Sequence, residues 1–460
     1  MKTLDITRRL WLWTLAAASL LLAACATAPG GAGGHPPIVF MHGNGDSAAL
    51  WMTTIWRFES NGWPSDRLFA VDAPYPLARD DDAKPQPGRS SAAENRQALA
   101  AEVDRALAAT GARQVVLMAN SRGGNAVRDY IAHGGAAKVS HAILGGTPNH
   151  GVWADPARLP GNEFNGAGPF LMGLNAPKGA AGDEVTPGVK WMTIRSDHND
   201  KFAQPDGVWI GSKGVPTHVD ADGPALRGAE NVVIPGIDHR ETAFSPQAFA
   251  AAYRFITGRA PVTLAITPET RVVLDGLVSG YGVDNRDGTG ASNLPLVGAT
   301  IAVYATDPAT GARRGAALLH KTIAADGRWG PFQADPNASY EFVLAAPGYA
   351  TTHIYRSPFP RSSDVIDMRV ERFAPADQAA KAVVVLSRPR GYFGLPRDHI
   401  SLAGQSPPPG IPPGTPGVST AKVALDSVDR PVVGEFNGER IVGRTWPAAD
   451  HELTIIELTY

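Results

Sequence analysis

Ser121 stands in the run Val115-Val116-Leu117-Met118-Ala119-Asn120-Ser121-Arg122-Gly123-Gly124-Asn125. A β-branched and aliphatic stretch stops at a small residue, and glycines follow the serine directly. This is the pattern of a sharp strand-to-helix turn, written G-x-S-x-G, which lifts a serine hydroxyl to the end of a sheet. Ala119 occupies the first glycine position. Small residues are needed at both flanks because the neighbouring backbone passes close to the turn. A serine alcohol becomes a nucleophile only when a base takes its proton, and the base in turn needs an orienting group. Several histidines follow in the chain. His133 falls on the helix after Ser121, His141 inside a strand, and His150 and His198 in loops. His239 follows a short apolar strand, Asn231-Val232-Val233-Ile234, in Pro235-Gly236-Ile237-Asp238-His239. For the orienting carboxylate the sequence offers Asp200, a few residues before Pro205, and its rival Asp197. Either aspartate could instead cap a turn.

The elements that must position these groups alternate. Pro37-Ile38-Val39-Phe40-Met41 reads as a buried strand ending in His42-Gly43, and Trp51, Ile55 and Phe58 form a helical stripe after it. Arg67 to Val71 is a strand. Ser91-Ala92-Ala93-Glu94 is a capping box, opening a helix with Leu99, Val103 and Leu107 on one face. Strands are expected at Ser140–Leu144 and Lys190–Arg195. Ser245-Pro246 opens a last helix, with Phe249, Tyr253 and Ile256 as its apolar face and Gly258 as its end. This order predicts an α/β fold: a mostly parallel, doubly wound sheet over about residues 35–260, with Asn44, Ser121, Asp200 and His239 all at strand C-terminal ends. The stretch 147–187 is too long and too rich in Gly and Pro for a connector. It is expected to form a cap, with Phe170, Leu171 and Met172 binding substrate. From about 261 the chain turns to short strands, including Val262–Ile266, Arg271–Leu274, Ala299–Tyr304 and Tyr340–Leu344. They predict an antiparallel β-sandwich or barrel over 261–375. A second β-rich segment, 376–460, packs on or extends it, with a stiff loop at Pro407–Gly414. Tyr349, Tyr355, Phe359, Tyr392 and Phe393 could serve as core or as contacts to lipid or polymer.

His42-Gly43, Ala119-Asn120-Ser121-Arg122-Gly123, Lys138-Val139-Ser140-His141, His239 through Gly258, and Tyr355-Arg356-Ser357-Pro358-Phe359 together carry a resemblance. The chain resembles the lipase and esterase branch of the α/β-hydrolase superfamily over roughly Pro36 to Gly258. It looks closest to two-domain lipases with a β-rich C-terminal domain. The resemblance implies His239 as general base and Asp200 or Asp197 as acid. It implies the backbone N–H groups of Asn44 and Arg122 as the oxyanion hole, with His42 bracing that loop. Asn120 departs from the histidine often found before the nucleophile, and Arg122 is bulkier than usual. Some relatives place the acid after the preceding strand. That position here reads Gly145-Gly146-Thr147, with no carboxylate until Asp155. The implied activity is cleavage of carboxylic esters of lipids, without metal or cofactor. The alternatives are a polyester depolymerase and a non-catalytic lipid-binding envelope protein.

At the N-terminus, Arg8 and Arg9 precede an apolar stretch from Leu10 to Ala24, too short for a span of about 20 residues. Residues 1–24 therefore read as a secretory signal, with a hint of twin-arginine export. Leu22-Ala23-Ala24-Cys25 resembles a bacterial lipobox, so Cys25 is expected to be acylated and to anchor the chain at the envelope, in the outer membrane or on export. Residues 25–34 form a flexible tether. Cys25 is the single cysteine, which excludes an internal disulfide framework. A hydrophobic content of 43% supports real cores, and a net charge of −2 gives no reason to expect a nucleic-acid partner. His218-Val219-Asp220-Ala221-Asp222-Gly223 and Asp284-Asn285-Arg286-Asp287-Gly288 lack the downstream glutamate of a calcium loop and read as turns.

Overall fold

Six aliphatic runs build the sheet that carries the site: β1 (Ile38–Met41), β2 (Leu68–Ala70), β3 (Val115–Asn120), β4 (Val139–Gly145), β5 (Lys190–Arg195) and β6 (Glu230–Val233). The structure is a computed structural model that describes residues 34–283 and 290–460. The signal-like stretch, Cys25, nearly all of the tether and the loop Asp284-Asn285-Arg286-Asp287-Gly288 lie outside the described residues. The strand order is β2-β1-β3-β4-β5-β6, and every pair is parallel. β1 and β3 are buried along their whole length, as strands covered on both faces must be.

Side chains alternate across the sheet. Ile38 and Phe40 join one core with Trp51 and Phe58, and with Phe249 and Tyr253. These come from helices α1 (Met52–Ser60) and α6 (Pro246–Thr257) and the turn before α1. Val39 and Met41 face a second core with Leu99, Val103, Val127 and Ile131, from α2 (Ala92–Thr110) and α3 (Arg122–Ala132). Helices on both faces make the sheet doubly wound. Their ends follow local chemistry. Ser91 and Glu94 form the reciprocal capping box, Ser245 accepts from Ala248 N–H, and Gly111 and Gly258 close their helices in the left-handed region. Two short helices complete the set: α4 (Pro169–Leu174) in the insertion and α5 (Glu241–Phe244) just after His239.

The C-terminal region departs from expectation at its first strand. Val262–Ile266 is not a strand, and Val262 is 92% exposed. Its backbone bonds to side chains at the end of α1 instead. The Asn61 amide oxygen accepts from Val262 and Thr263 N–H at 2.7 and 3.1 Å, and Arg57 Nε donates to Leu264 O at 3.1 Å. Beyond it, residues 261–375 and 376–460 share one seven-stranded sheet. Its strands are β7 (Thr300–Thr306), β8 (Leu319–Thr322), β9 (Ser339–Ala345), β10 (Thr351–Arg356), β11 (Ala382–Ser387), β12 (Thr420–Leu425) and β13 (Glu452–Glu457). In the order β8-β7-β9-β10-β13-β11-β12, β13 lies parallel to both neighbours and the other pairs are antiparallel, so the sheet is mixed. β13 is buried from Leu453 to Glu457, which suits a central strand. Tyr355, Phe359, Tyr392 and Phe393 are buried and belong to the interior; Tyr349 is half-buried, its hydroxyl donating to Tyr281 O at 2.9 Å. Among the described residues no helix is long and apolar enough to cross a membrane.

Candidate active site

Ser121 occupies the N-cap of α3 with φ 54° and ψ −124°, a backbone conformation that a non-glycine residue adopts only under constraint. The constraint is visible. Ser121 N–H donates to Gly145 O at 2.8 Å, and the glycines let the flanking chains close in. A Cβ on Gly123 would stand 2.5 Å from Met41 O and 2.6 Å from His42 O, so only glycine allows the turn to press against the end of β1.

His239 lies in the turn after β6, 3% exposed. Its Nδ1 bonds both oxygens of Asp200, at 2.9 and 2.8 Å. Asp200 also accepts from Phe202 N–H at 2.8 Å, and the Phe202 ring meets the imidazole edge-on, 4.5 Å between centroids. The other ring nitrogen, Nε2, is buried with no hydrogen-bond partner among the described residues. Asp197 turns elsewhere: its carboxylate takes the Asn199 amide at 2.7 Å and Gly236 N–H at 3.1 Å. Burial pushes that carboxyl up, and the bonds from Asn199, Gly236 and Ser196 outweigh it, holding it below its ordinary range. Asn120, unexpected before a nucleophile, ties the elbow to the histidine loop. Its amide donates to Gly145 O and His239 O, each at 3.2 Å, and to Thr242 Oγ1 at 3.0 Å. The other histidines have other surroundings. His133 bonds Asp129, His150 bonds Glu184, and His198 is exposed beside Asp222.

Arg122 is the first residue of α3, so its N–H is among those a helix leaves without an intrahelical partner. Its side chain explains the bulk at this position. The guanidinium is buried against Glu163 of the insertion and donates to Pro76 O at 3.0 Å, Ser90 Oγ at 2.9 Å and Ser90 O at 2.8 Å. Asn44 begins the turn after β1, and its side-chain oxygen accepts from Ala78 N–H at 2.8 Å. Beneath it, His42 Nδ1 donates to Gly43 O at 2.8 Å, and Nε2 accepts from Ala73 N–H at 3.2 Å. Burial, which outweighs the opposing pull of the Gly43 bond and the Asp46 charge, brings the His42 pKa down to about 4. The unfolded chain binds this proton near pH 6.5 and the native protein does not. Stability is therefore full above about 6.5 and falls by about 3 kcal/mol as pH drops toward 4. Urea midpoints compared at neutral pH and near pH 4.5 should show this decline in wild type and a shallower one in His42→Gln.

A cavity of about 390 Å³ opens beside the acid, lined in part by Leu144, Thr147, Ile194, Phe202, Ala221 and Leu226. The start of the insertion walls it, but Phe170, Leu171 and Met172 do not line it. α4 turns Leu171 fully inward and leaves Met172 61% exposed, because residues adjacent on a helix face different sides. The insertion is pinned by Arg122 and also by Arg128, which donates to Asn149, Leu174 and Asn175. Among the described residues, His198, Asp220 and Asp222 gather as one set of possible metal ligands, all exposed. Asp220 caps its own turn, accepting from Asp222 and Gly223 N–H.

Residues 270–373 match the family described as Lipase C-terminal domain. A non-heme haloperoxidase of Rhodococcus erythropolis is 29% identical over 178 residues, 34% of this chain and 59% of that protein, so the chain spans less than two thirds of this curated relative. Among solved structures, Aspergillus fumigatus lipase B has a TM-score of 0.35 at 17% identity, covering 52% of this chain and 56% of that one. A Bacillus licheniformis lipase has a TM-score of 0.33 at 20% identity, covering 48% and 92%. With its six parallel strands and its serine elbow after β3, the chain is a doubly wound α/β protein continued by a β-rich region, of which residues 270–373 match the Lipase C-terminal domain family.

Proposed function

We propose that the protein is a serine hydrolase that cleaves carboxylic esters of lipids through an acyl-enzyme. What carries the reading is His239, whose Nδ1 bonds both Asp200 oxygens while Nε2 stays buried without a partner among the described residues. In this reading His239 Nε2 takes the Ser121 proton as Oγ attacks the ester carbonyl. The N–H groups of Asn44 and Arg122 receive the oxyanion, each donor being worth about 100–1,000-fold in rate. The imidazolium then protonates the departing alkoxide, and the neutral ring activates water to release the acid. Asp200 holds the tautomer that leaves Nε2 free to accept. Attachment at the cell envelope through an acylated Cys25 belongs to the same reading.

The cavity beside Asp200 is of the size that holds small ligands, about 300–1,000 Å³, and we assign it to the acyl chain. The test is a series of p-nitrophenyl esters from acetate to palmitate, with emulsified triolein and a polyhydroxyalkanoate film alongside. Short and medium esters should turn over fastest. Ala221→Phe, which fills the cavity wall, should lower kcat/KM for octanoate relative to acetate by about tenfold or more. An unchanged chain-length profile removes the cavity from the account. Preference for the film identifies a polyesterase instead.

A further inference from the structure

Asp238 and Glu241 stand on either side of His239 in the chain, and both carboxylates are gripped from the far end of the sequence. Asp238 has no exposure. Its Oδ2 accepts from Arg388 Nη1 at 2.7 Å and from Tyr392 N–H at 2.8 Å, while Oδ1 takes Arg240 and Glu241 N–H at 2.8 and 2.9 Å. Glu241 accepts from Arg388 Nη2 at 2.6 Å and Arg397 Nη1 at 2.9 Å. Arg388 is itself buried, with Nη1 also on Tyr392 O at 2.6 Å and Nε on Tyr460 O at 3.1 Å. A Cβ on Gly391 would come within 2.4 Å of the guanidinium, so the Arg388–Gly391 turn leaves room only for this side chain. One planar fork thus spans two carboxylates, a geometry that lysine does not reproduce.

The same region reaches the other two loops of the site. Lys201, next to Asp200, donates to Gly417 O at 2.8 Å, and Thr415 Oγ1 donates to His198 O at 3.1 Å. Asn293 Nδ2 donates to Asp46 O and Ala73 O, both at 2.9 Å, beside the Gly43-Asn44 turn. We propose, building on the serine-hydrolase reading, that Arg388 is a positioning residue for His239: by clamping Asp238 and Glu241 it sets where the imidazole stands and offsets the charge beside it. The β-rich region is then part of the catalytic framework, whatever it does with lipid.

The charged and titratable groups around the imidazole come from every packed element. Asp200 and Lys201 lie on the acid loop, Asp46 pairs with Arg240, Asp238 and Glu241 flank His239 in the chain and pair with Arg388 and Arg397, and Lys201 and Arg240 lie over the Tyr392 ring. Burial pushes the Asp238 carboxyl up, and Arg388 with Arg397 outweighs it, holding the group below its ordinary range.

The experiment follows the His239 imidazole by nitrogen-15 NMR in the full chain. A Ser121→Ala background makes the spectrum independent of turnover. Arg388→Gln should move the ring-nitrogen resonances away from their wild-type positions, and in the Ser121 enzyme lower kcat by about 100-fold. Arg388→Lys keeps the charge and loses the fork. Its kcat should fall by about tenfold with KM little changed. Circular dichroism reports folding. Where Arg388→Gln does not fold, Arg388→Lys decides: lowered kcat supports the proposal, and wild-type kcat overturns it. A folded Arg388→Gln with unchanged resonances or unchanged kcat also overturns it. If the wild type hydrolyses no ester, the serine-hydrolase reading fails, and the ring-nitrogen resonances still decide the role of Arg388.

Discussion

Ser121→Ala is expected to lower ester hydrolysis by about a million-fold, to the level set by binding and the oxyanion donors alone. The expectation rests on position. Ser121 is lifted into the site by a turn with φ 54°, between an N–H bond to Gly145 and the glycines that let β1 and the elbow meet. Alanine keeps the backbone and removes only the hydroxyl. The melting temperature should therefore stay close to wild type while activity disappears. Initial rates on p-nitrophenyl butyrate, measured beside thermal unfolding of the same samples, check both halves. Substantial residual turnover would assign the chemistry to another group.

Asp200→Asn should cost about 10⁴-fold in kcat, because an amide can present its NH₂ to Nδ1 and select the tautomer that blocks Nε2. Both Asp200 oxygens lie within 2.9 Å of that nitrogen, and the pair is buried. Asp197→Asn should cost less than about tenfold, the range of an indirect turn effect. Its partners are Asn199 and Gly236, and it acts as the bond acceptor of a turn. Comparing kcat for the two variants separates the rivals that sequence alone left open. Reversal of the order would move the acid to Asp197.

What was legible in the sequence is what local chemistry determines. The aliphatic run before Ser121, the capping box at Ser91 and the Ser245-Pro246 start each carry their signal within a few residues. The alternation of strands and helices then places the loops at one edge. Phe170, Leu171 and Met172 are all apolar, but apolarity does not say which face of a helix turns inward. Val262–Ile266 has strand composition, yet its backbone partners include Asn61 and Arg57, two hundred residues earlier. The continuation of the sheet across residue 375 is long-range as well. β13 joins β10 to β11, a pairing that only tertiary contact selects. Arg388, Arg397 and Glu163 carried no motif at all. Their partners Asp238, Glu241 and Arg122 sit next to functional positions, so charged residues flanking a candidate catalytic group are the signal that could have found them.

The central claim is that one hydroxyl in this chain is activated by one imidazole. A fluorophosphonate probe tests it most directly, since it phosphonylates only a serine held beside a working base and oxyanion hole. Peptide mass spectrometry of the labelled full-length protein should find the adduct on Ser121, with labelling abolished in Ser121→Ala and strongly slowed in His239→Ala. An unlabelled wild type, or an adduct on a different residue, would contradict the account.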